Sequence, residues 1–407
     1  MNLAVSRGRL WQRVVAKLFR GIARHPWIGV RVAALEAEKW LFPILWPRPQ
    51  EGFGHSIRQV SFRITDLCNL RCHTCGQWGD QGFLRGRDLR DLKKNEVPLL
   101  RYLEVLTDLR RQGHRPLVYL WGGEPMLYEG VVDLMETATR LGMPVSVATN
   151  GTMVASVAPR LVEAPLFLLQ LSIDGHHAGL HNQLRPGVGG VDNFAQIQAG
   201  LAAVQEARRS RGSTLPLIAS LTVISRANFR HLVDIYDTFR EQVDLLVFYL
   251  SWWIDPKNAQ AHADDFQRRF GFLPTRQWGW VGDWKPDDFG ELSRQLRLLQ
   301  DRSRAWSAPP VIVLPPLTAK ADLETYYTRH QATFGLRRCL SIFQVVEVNS
   351  NGDLSPCRDY HDYVVGNLKE HTISELWNSP AYRKFRRSLA TAGLMPVCSR
   401  CCGLMGY

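Results

Sequence analysis

The stretch Thr65-Asp66-Leu67-Cys68-Asn69-Leu70-Arg71-Cys72-His73-Thr74-Cys75 decides the reading of this chain. Three thiols fall at C-x3-C-x2-C spacing just past a β-like run at 59–65. Soft thiolate sulfur suits iron, and a four-iron cluster normally takes four such ligands. Three close cysteines with no obvious fourth leave one iron open, and an open metal position can bind a substrate or cofactor. The competing reading is a zinc knot with His73 as fourth ligand. His73 directly follows Cys72, so the two side chains would diverge.

Outward from this stretch, strands are expected at 59–65, 116–121, 144–149, 166–173, 216–224 and 243–251. Helices are expected near 97–112, 129–141, 153–163, 191–210 and 228–241. Such alternation implies a parallel sheet, because parallel strands need helical crossovers. Functional loops should then lie at the carboxyl ends of the strands. Residues 252–335 read as irregular and hold Trp252, Trp253, Trp278, Trp280 and Trp284. That stretch either covers the open side of a barrel or forms ordinary core between domains. Beyond Cys339, two strand-like runs flank Asn351-Gly352, a helix is expected at about 373–389, and a cysteine-rich tail closes the chain.

The expected strand ends carry further motifs. Gly122-Gly123-Glu124-Pro125 follows the second strand; its glycines let backbone approach a ligand, and Glu124 can pair with an ammonium group. Thr149-Asn150-Gly151 ends the third strand and Ser172-Ile173-Asp174-Gly175 the fourth, with Arg185 shortly after. An arginine fork matches a carboxylate. In order and position these elements resemble the radical S-adenosylmethionine (SAM) superfamily over about residues 57–255. The resemblance implies a partial (β/α)6 TIM-like barrel of the α/β class and a [4Fe–4S] cluster with an open iron site on Cys68, Cys72 and Cys75. It also implies SAM contacts by Gly122, Gly123, Glu124, Pro125, Asn150, Ser172, Asp174 and Arg185. The activity implied is reductive cleavage of SAM to a 5′-deoxyadenosyl radical, which abstracts a substrate hydrogen atom. An electron donor such as flavodoxin or ferredoxin is implied as partner. The residue before the third cysteine, often aromatic in the family, is Thr74 here.

The remaining cysteines are Cys339, Cys357, Cys398, Cys401 and Cys402, with Gly352 between the first two. Four can complete a closed cluster, and the glycine fits a tight hairpin that would join distant ligands. The region resembles the SPASM/twitch auxiliary-cluster domains, which implies one auxiliary [4Fe–4S] cluster on Cys339, Cys357, Cys398 and Cys401 in a small C-terminal twitch-like domain. Cys402 could replace Cys401. A structural zinc ribbon is the alternative for the tail.

Composition bounds the rest. The 407 residues and 45% hydrophobic content suffice for one large domain and a smaller one. The expected divisions are 1–56, 57–255, 256–336 and 337–407. The net charge is +12, with seven basic residues and no acidic one before Glu36. No nucleic-acid motif accompanies that charge, so no nucleic-acid partner is expected. Residues 9–25 read as an amphipathic helix, and 27–46 continue rich in tryptophan. The segment 9–47 either contacts a membrane surface or packs on the fold. Clustered cysteines without a secretory signal point to a reducing cytoplasm, on the cytoplasmic face of a membrane if associated. The substrate is expected to be a small or lipid-like molecule. A peptide or protein, as in many relatives of this subfamily, is the alternative, and a non-catalytic metal-binding scaffold is the reading from another class.

Overall fold

The computed structural model describes residues 25–45 and 49–405. The helix expected over 9–25 lies outside those residues except for His25. One sheet organises the chain: β1 (Gln59–Thr65), β2 (Leu117–Gly122), β3 (Val145–Thr149), β4 (Leu168–Ser172), β5 (Leu217–Ile224), β6 (Leu245–Leu250), β7 (Val311–Leu314), β8 (Val345–Val348), β9 (Asp353–Ser355) and β10 (Gly366–Asn367). Their order is β10-β9-β8-β1-β2-β3-β4-β5-β6-β7. Pairing is parallel from β8 across β1 to β7, and antiparallel in β8–β9 and β9–β10.

The first six strands are the six expected ones, and they form the partial TIM-like barrel. Period-2 alternation decides their faces. In β1, Val60, Phe62 and Ile64 are buried in the outer core, where the Phe62 ring lies 4.8 Å from that of Tyr102. Ser61 and Arg63 alternate with them and face the lumen. Truncating a ring buried like Phe62 to alanine costs about 3–5 kcal/mol.

The covering helices include α1 (Pro26–Leu45), α2 (Leu99–Arg111), α3 (Val131–Arg140), α4 (Val154–Glu163), α5 (Asn193–Arg211) and α6 (Leu232–Phe239). In α2, Tyr102, Val105, Leu106 and Leu109 form the buried stripe, and Arg110 and Arg111 complement the dipole in the last turn. In α5, the Asp192 side chain accepts from the Ala195 N–H, and Gly212 ends the helix at φ 54°.

The stretch expected to be irregular instead holds α7 (Pro256–Phe270), α8 (Phe289–Arg302), α9 (Lys320–Thr328) and β7. The apolar stripe of α7 is Ala259, Ala263, Phe266 and Phe270, but Asn258, His262 and Asp265 are buried beside it. Strand β7 is only four residues long and gives little alternation to read. It extends the sheet beyond six strands at one edge, and β8 does so at the other, so one sheet runs through all the expected divisions after residue 56. The helix expected at about 373–389 is two: Ile373–Trp377, with a Thr372/Glu375 capping box, and α10 (Pro380–Ala392), which Pro380 starts afresh.

Helix α1 packs Ile28 and Val32 on Phe167, Leu215 and Leu217, at the amino ends of β4 and β5. Arg58 pairs with Glu36 at 3.2 Å. Packing on the fold is therefore observed for this part of the N-terminal segment. Its outer stripe leaves Trp27, Val30, Trp40, Leu41 and Ile44 exposed. No helix among the described residues is long and apolar enough to cross a membrane.

Candidate active site

The chain leaves β1 at Thr65, whose hydroxyl donates to Glu96 at 2.5 Å and accepts from the Leu67 N–H. The loop that follows carries Cys68, Cys72 and Cys75, and the β2 loop lies directly against it. Gly123 N donates to Thr65 O at 2.8 Å, and Glu124 N to Leu67 O at 2.7 Å. A Cβ on Gly123 would stand 2.1 Å from Leu67 O, and one on Gly122, at φ 144°, 2.4 Å from Thr65 O. These glycines serve backbone-on-backbone packing with the cysteine loop.

The sulfurs meet donors. Leu70 N points at Cys68 Sγ, and Gln77 N and Trp78 N at Cys75 Sγ, each at 3.4 Å. Arg185 Nη1 lies 3.7 Å from Cys72 Sγ. Burial pushes the Cys68 thiol up to about 12 and the Cys72 thiol up to about 11, with Arg185 acting in the opposite direction on Cys72. Thiolates so desolvated require a positive partner, and the N–H and guanidinium groups fit anionic sulfur bound to a cluster.

The zinc alternative does not fit. Tetrahedral zinc–thiolate bonds of ~2.3 Å bring sulfurs to within about 4 Å of one another. Among the described residues, no three cysteine sulfurs gather within 4.8 Å. His73 points to the surface, 3.7 Å from the Asp80 carboxylate.

The strand-end motifs converge on this loop, with two changes of role. Glu124 is fully buried, and both its oxygens are taken: Oε1 accepts from Met126 N and Thr149 Oγ1, Oε2 from Asn150 N. It ties the β2 loop to the β3 loop, and its complete burial turns the carboxylate away from the ammonium group expected from sequence. Pro125 is buried beneath it. Asp174 is likewise engaged, by Arg185 Nε at 2.6 Å and Val223 N at 2.8 Å, so it orients Arg185. Asn150 Nδ2 donates to Asn69, next to Cys68. Ser172 stays half-buried on the lumen face of β4, in line with Gln170. Sequence reading missed Asn228, which donates to Asp174 O at 3.0 Å, and Gln77, which donates to Gly122 O at 3.2 Å. Neither lies in a recognisable pattern.

The second cysteine group is deeper. Gly352 (φ 93°) turns the β8–β9 hairpin as expected. Cys398 and Cys401 are buried, and burial raises the thiols of Cys339, Cys357, Cys398 and Cys401. Cys401 stands near Asp359 as well as near Cys398 and Cys357. Cys402 instead directs Sγ at the Asp359 carboxylate, 3.2 and 3.4 Å away, and its N–H donates there too. These surroundings favour Cys339, Cys357, Cys398 and Cys401 as the set able to hold a closed cluster.

Between the two groups lies the lumen. Arg358 enters it, bonded to Glu347 at 2.8 Å and Ser61 at 3.2 Å, with its guanidinium over the Tyr119 and Trp121 rings. A cavity of about 370 Å³ runs from the strand amino ends past Tyr249 and Arg358 to the five C-terminal cysteines. A second, of about 520 Å³, lies beside the first loop and is lined by Arg63, Arg87, Arg276, Lys369 and several acidic and amide groups. Trp280 joins the two regions: its ring lies against Gly76, and its Nε1 donates to Asp359 O.

Comparison with known proteins agrees with this geometry. Residues 62–238 match the radical SAM superfamily, and residues 339–402 match SPASM, an iron–sulfur cluster-binding domain. The AdoMet-dependent heme synthase of Methanosarcina barkeri is 24% identical over 345 residues, which is 84% of this chain and 88% of that one. The pre-heme d1 synthase of Dinoroseobacter shibae is 26% identical over 79% of this chain and 73% of its own. SuiB of Streptococcus suis, solved with S-adenosylmethionine, shares the fold with a TM-score of 0.57 at 16% identity, over 84% of this chain and 70% of SuiB.

Proposed function

We propose, for a chain that belongs to the radical SAM superfamily and carries a SPASM domain, that it modifies a carboxylate-bearing small molecule of the tetrapyrrole class by hydrogen abstraction within the barrel lumen. The chain is an enzyme whose cofactors are a [4Fe–4S] cluster, SAM and auxiliary iron–sulfur. Bound together, the first cluster and SAM supply reductive cleavage of the sulfonium and a radical that takes hydrogen from a C–H bond.

The chain's own residues do the rest. Cys68, Cys72 and Cys75 would hold the first cluster, and backbone N–H groups of Leu70, Gln77 and Trp78 damp the sulfur charge. Arg185, fixed by Asp174, presents its remaining N–H groups to a carboxylate beside Cys72. Ser172 offers a hydroxyl from the lumen face of β4. Glu124 locks the β2 and β3 loops together, so that these groups do not reorganise on binding. Cys339, Cys357, Cys398 and Cys401 would hold the auxiliary cluster at the far side of the lumen.

The observation that carries the reading is the thiol trio on the loop after β1, with its donors and Arg185. The substrate class rests on the names of relatives matched over 73–88% of their own length. The test is anaerobic incubation with SAM, a reductant and deuterated tetrapyrrole carboxylates. Deuterium should appear in 5′-deoxyadenosine. Formation of 5′-deoxyadenosine without deuterium from any tetrapyrrole, but with deuterium from a peptide, would refute the substrate class.

A cytoplasmic location at an anionic membrane surface is part of the same proposal. Its support is the exposed stripe Trp27, Val30, Trp40, Leu41 and Ile44, beside a basic sequence.

A further inference from the structure

We propose that His176, His231 and Asp234 form a site for a divalent first-row transition metal, zinc foremost, separate from both cysteine groups. His176 stands on the loop after β4, while His231 caps the start of α6 and Asp234 lies in its first turn, where the chain arrives from β5. One donor atom from each lies within 4.8 Å of the others, and no other such trio occurs among the described residues. The His176 and His231 rings are 5.1 Å apart at 33°. His231 Nδ1 is 2.9 Å from Asp234 Oδ2, across one helical turn.

A local helix cap would account for His231 and Asp234 alone. It leaves His176 unexplained: its Nδ1 is buried and has no hydrogen-bond partner. Imidazole nitrogen with a carboxylate is a donor set that zinc takes readily, with water completing the tetrahedron. Bonds of ~2.0–2.2 Å set tetrahedral donors about 3.4 Å apart. The His231–Asp234 pair, now 2.9 Å apart, would therefore open slightly to admit the ion, while the His176 donor, within 4.8 Å of both, closes on it.

The site has a structural consequence. The β5 loop carries Asn228, which holds Asp174 O, and Asp174 holds Arg185. A cation shared by His176 and His231 would pin these two loops together behind Arg185, so Asp174 keeps its orientation without contact between metal and substrate.

The test uses the full chain, anaerobically loaded with iron and sulfide so that the cysteines are occupied, then washed with chelator and titrated with zinc. Bound zinc is counted by mass spectrometry after desalting, and cobalt(II) absorption reports nitrogen and oxygen ligation. The wild type should retain about one zinc per chain. His176→Gln, His231→Gln and the exposed Asp234→Asn should each weaken binding at least about tenfold. His177→Gln, whose native ring meets His176 edge-on at 4.5 Å but lies outside the trio, should bind as the wild type does. Zinc should raise the melting temperature of the wild type and not that of Asp234→Asn. A wild type that retains no zinc, or a zinc count equal in all four variants, overturns the site.

Discussion

The two cysteine regions of this chain solve different problems. The first sits on a loop at the sheet's carboxyl edge, with all three thiols partly buried and a guanidinium 3.7 Å from one sulfur. The second is assembled from a hairpin and the chain's tail, with five thiols and two of them buried outright. An open site must leave room for a small molecule to reach the metal, so its loop is short, wrapped and backed by glycines. A closed site needs only enclosure, so its ligands can come from 60 residues of chain. Asp359 and Arg358 mark the border, facing Cys402 on one side and the lumen on the other.

The sharpest break in this comparison is iron. Cys72→Ala should cut iron from about eight to about four per chain and lower 5′-deoxyadenosine formation by about 10³-fold or more, to background. Cys401→Ser should also cost about four irons while leaving the first cluster's absorption intact. Cys402→Ser should change the iron count by none. If Cys402→Ser loses iron and Cys401→Ser keeps it, the assignment of the two is reversed.

Arg185→Met tests how the open site is tuned. Loss of a charge-assisted bond to the SAM carboxylate should weaken SAM binding by about 10–100-fold with iron content unchanged. Equilibrium dialysis against labelled SAM measures it, and an unchanged affinity would remove Arg185 from the contact.

Each region also has a buried neutral histidine. Burial lowers His181, which accepts the Asp174 N–H, to about 3, and His262, whose ring lies 5.7 Å from that of Tyr360, to about 4. With folded values below the ordinary 6.5, their contribution to stability is whole above that pH and is lost as pH falls towards 3–4. The melting temperature should therefore decline from pH 7 downward. His181→Gln and His262→Gln should each flatten the decline, and an unchanged slope in both would exclude these groups as its source.

The smallest expected effect lies on the outer face of α1, whose inner face packs Phe42 beside the second region. Trp40→Ala with Ile44→Ser should leave iron and SAM cleavage unaltered and reduce flotation with anionic vesicles. Equal flotation would refute membrane contact by this stripe.

Much of this was legible in the sequence because the strands are apolar runs ending in chemically marked residues. β1 to β6, the cysteine triplet and the β8–β9 hairpin at Gly352 all follow from such marks. What stayed hidden depended on tertiary partners. Glu124 looks like a free carboxylate until Thr149 and the Asn150 N–H are seen on it. The first two helices of 256–328 keep a helical period, as the buried row Leu292, Leu296 and Leu299 shows, but tryptophans and prolines lie between them and make the stretch read as irregular. Adjacent Cys401 and Cys402 differ only in their tertiary surroundings, where the Asp359 carboxylate accepts from the second. His176, His231 and Asp234 are 58 residues apart at the extremes, and only the adjacency of β4 and β5 unites them.

The most direct test of the central claim is reductive cleavage of SAM by the anaerobically reconstituted chain, with Cys68→Ala, Cys72→Ala and Cys75→Ala alongside. The wild type should form 5′-deoxyadenosine and methionine under dithionite, and none of the three variants should. A wild type that binds zinc in place of iron, or forms no 5′-deoxyadenosine when fully loaded, would contradict the reading of Cys68, Cys72 and Cys75.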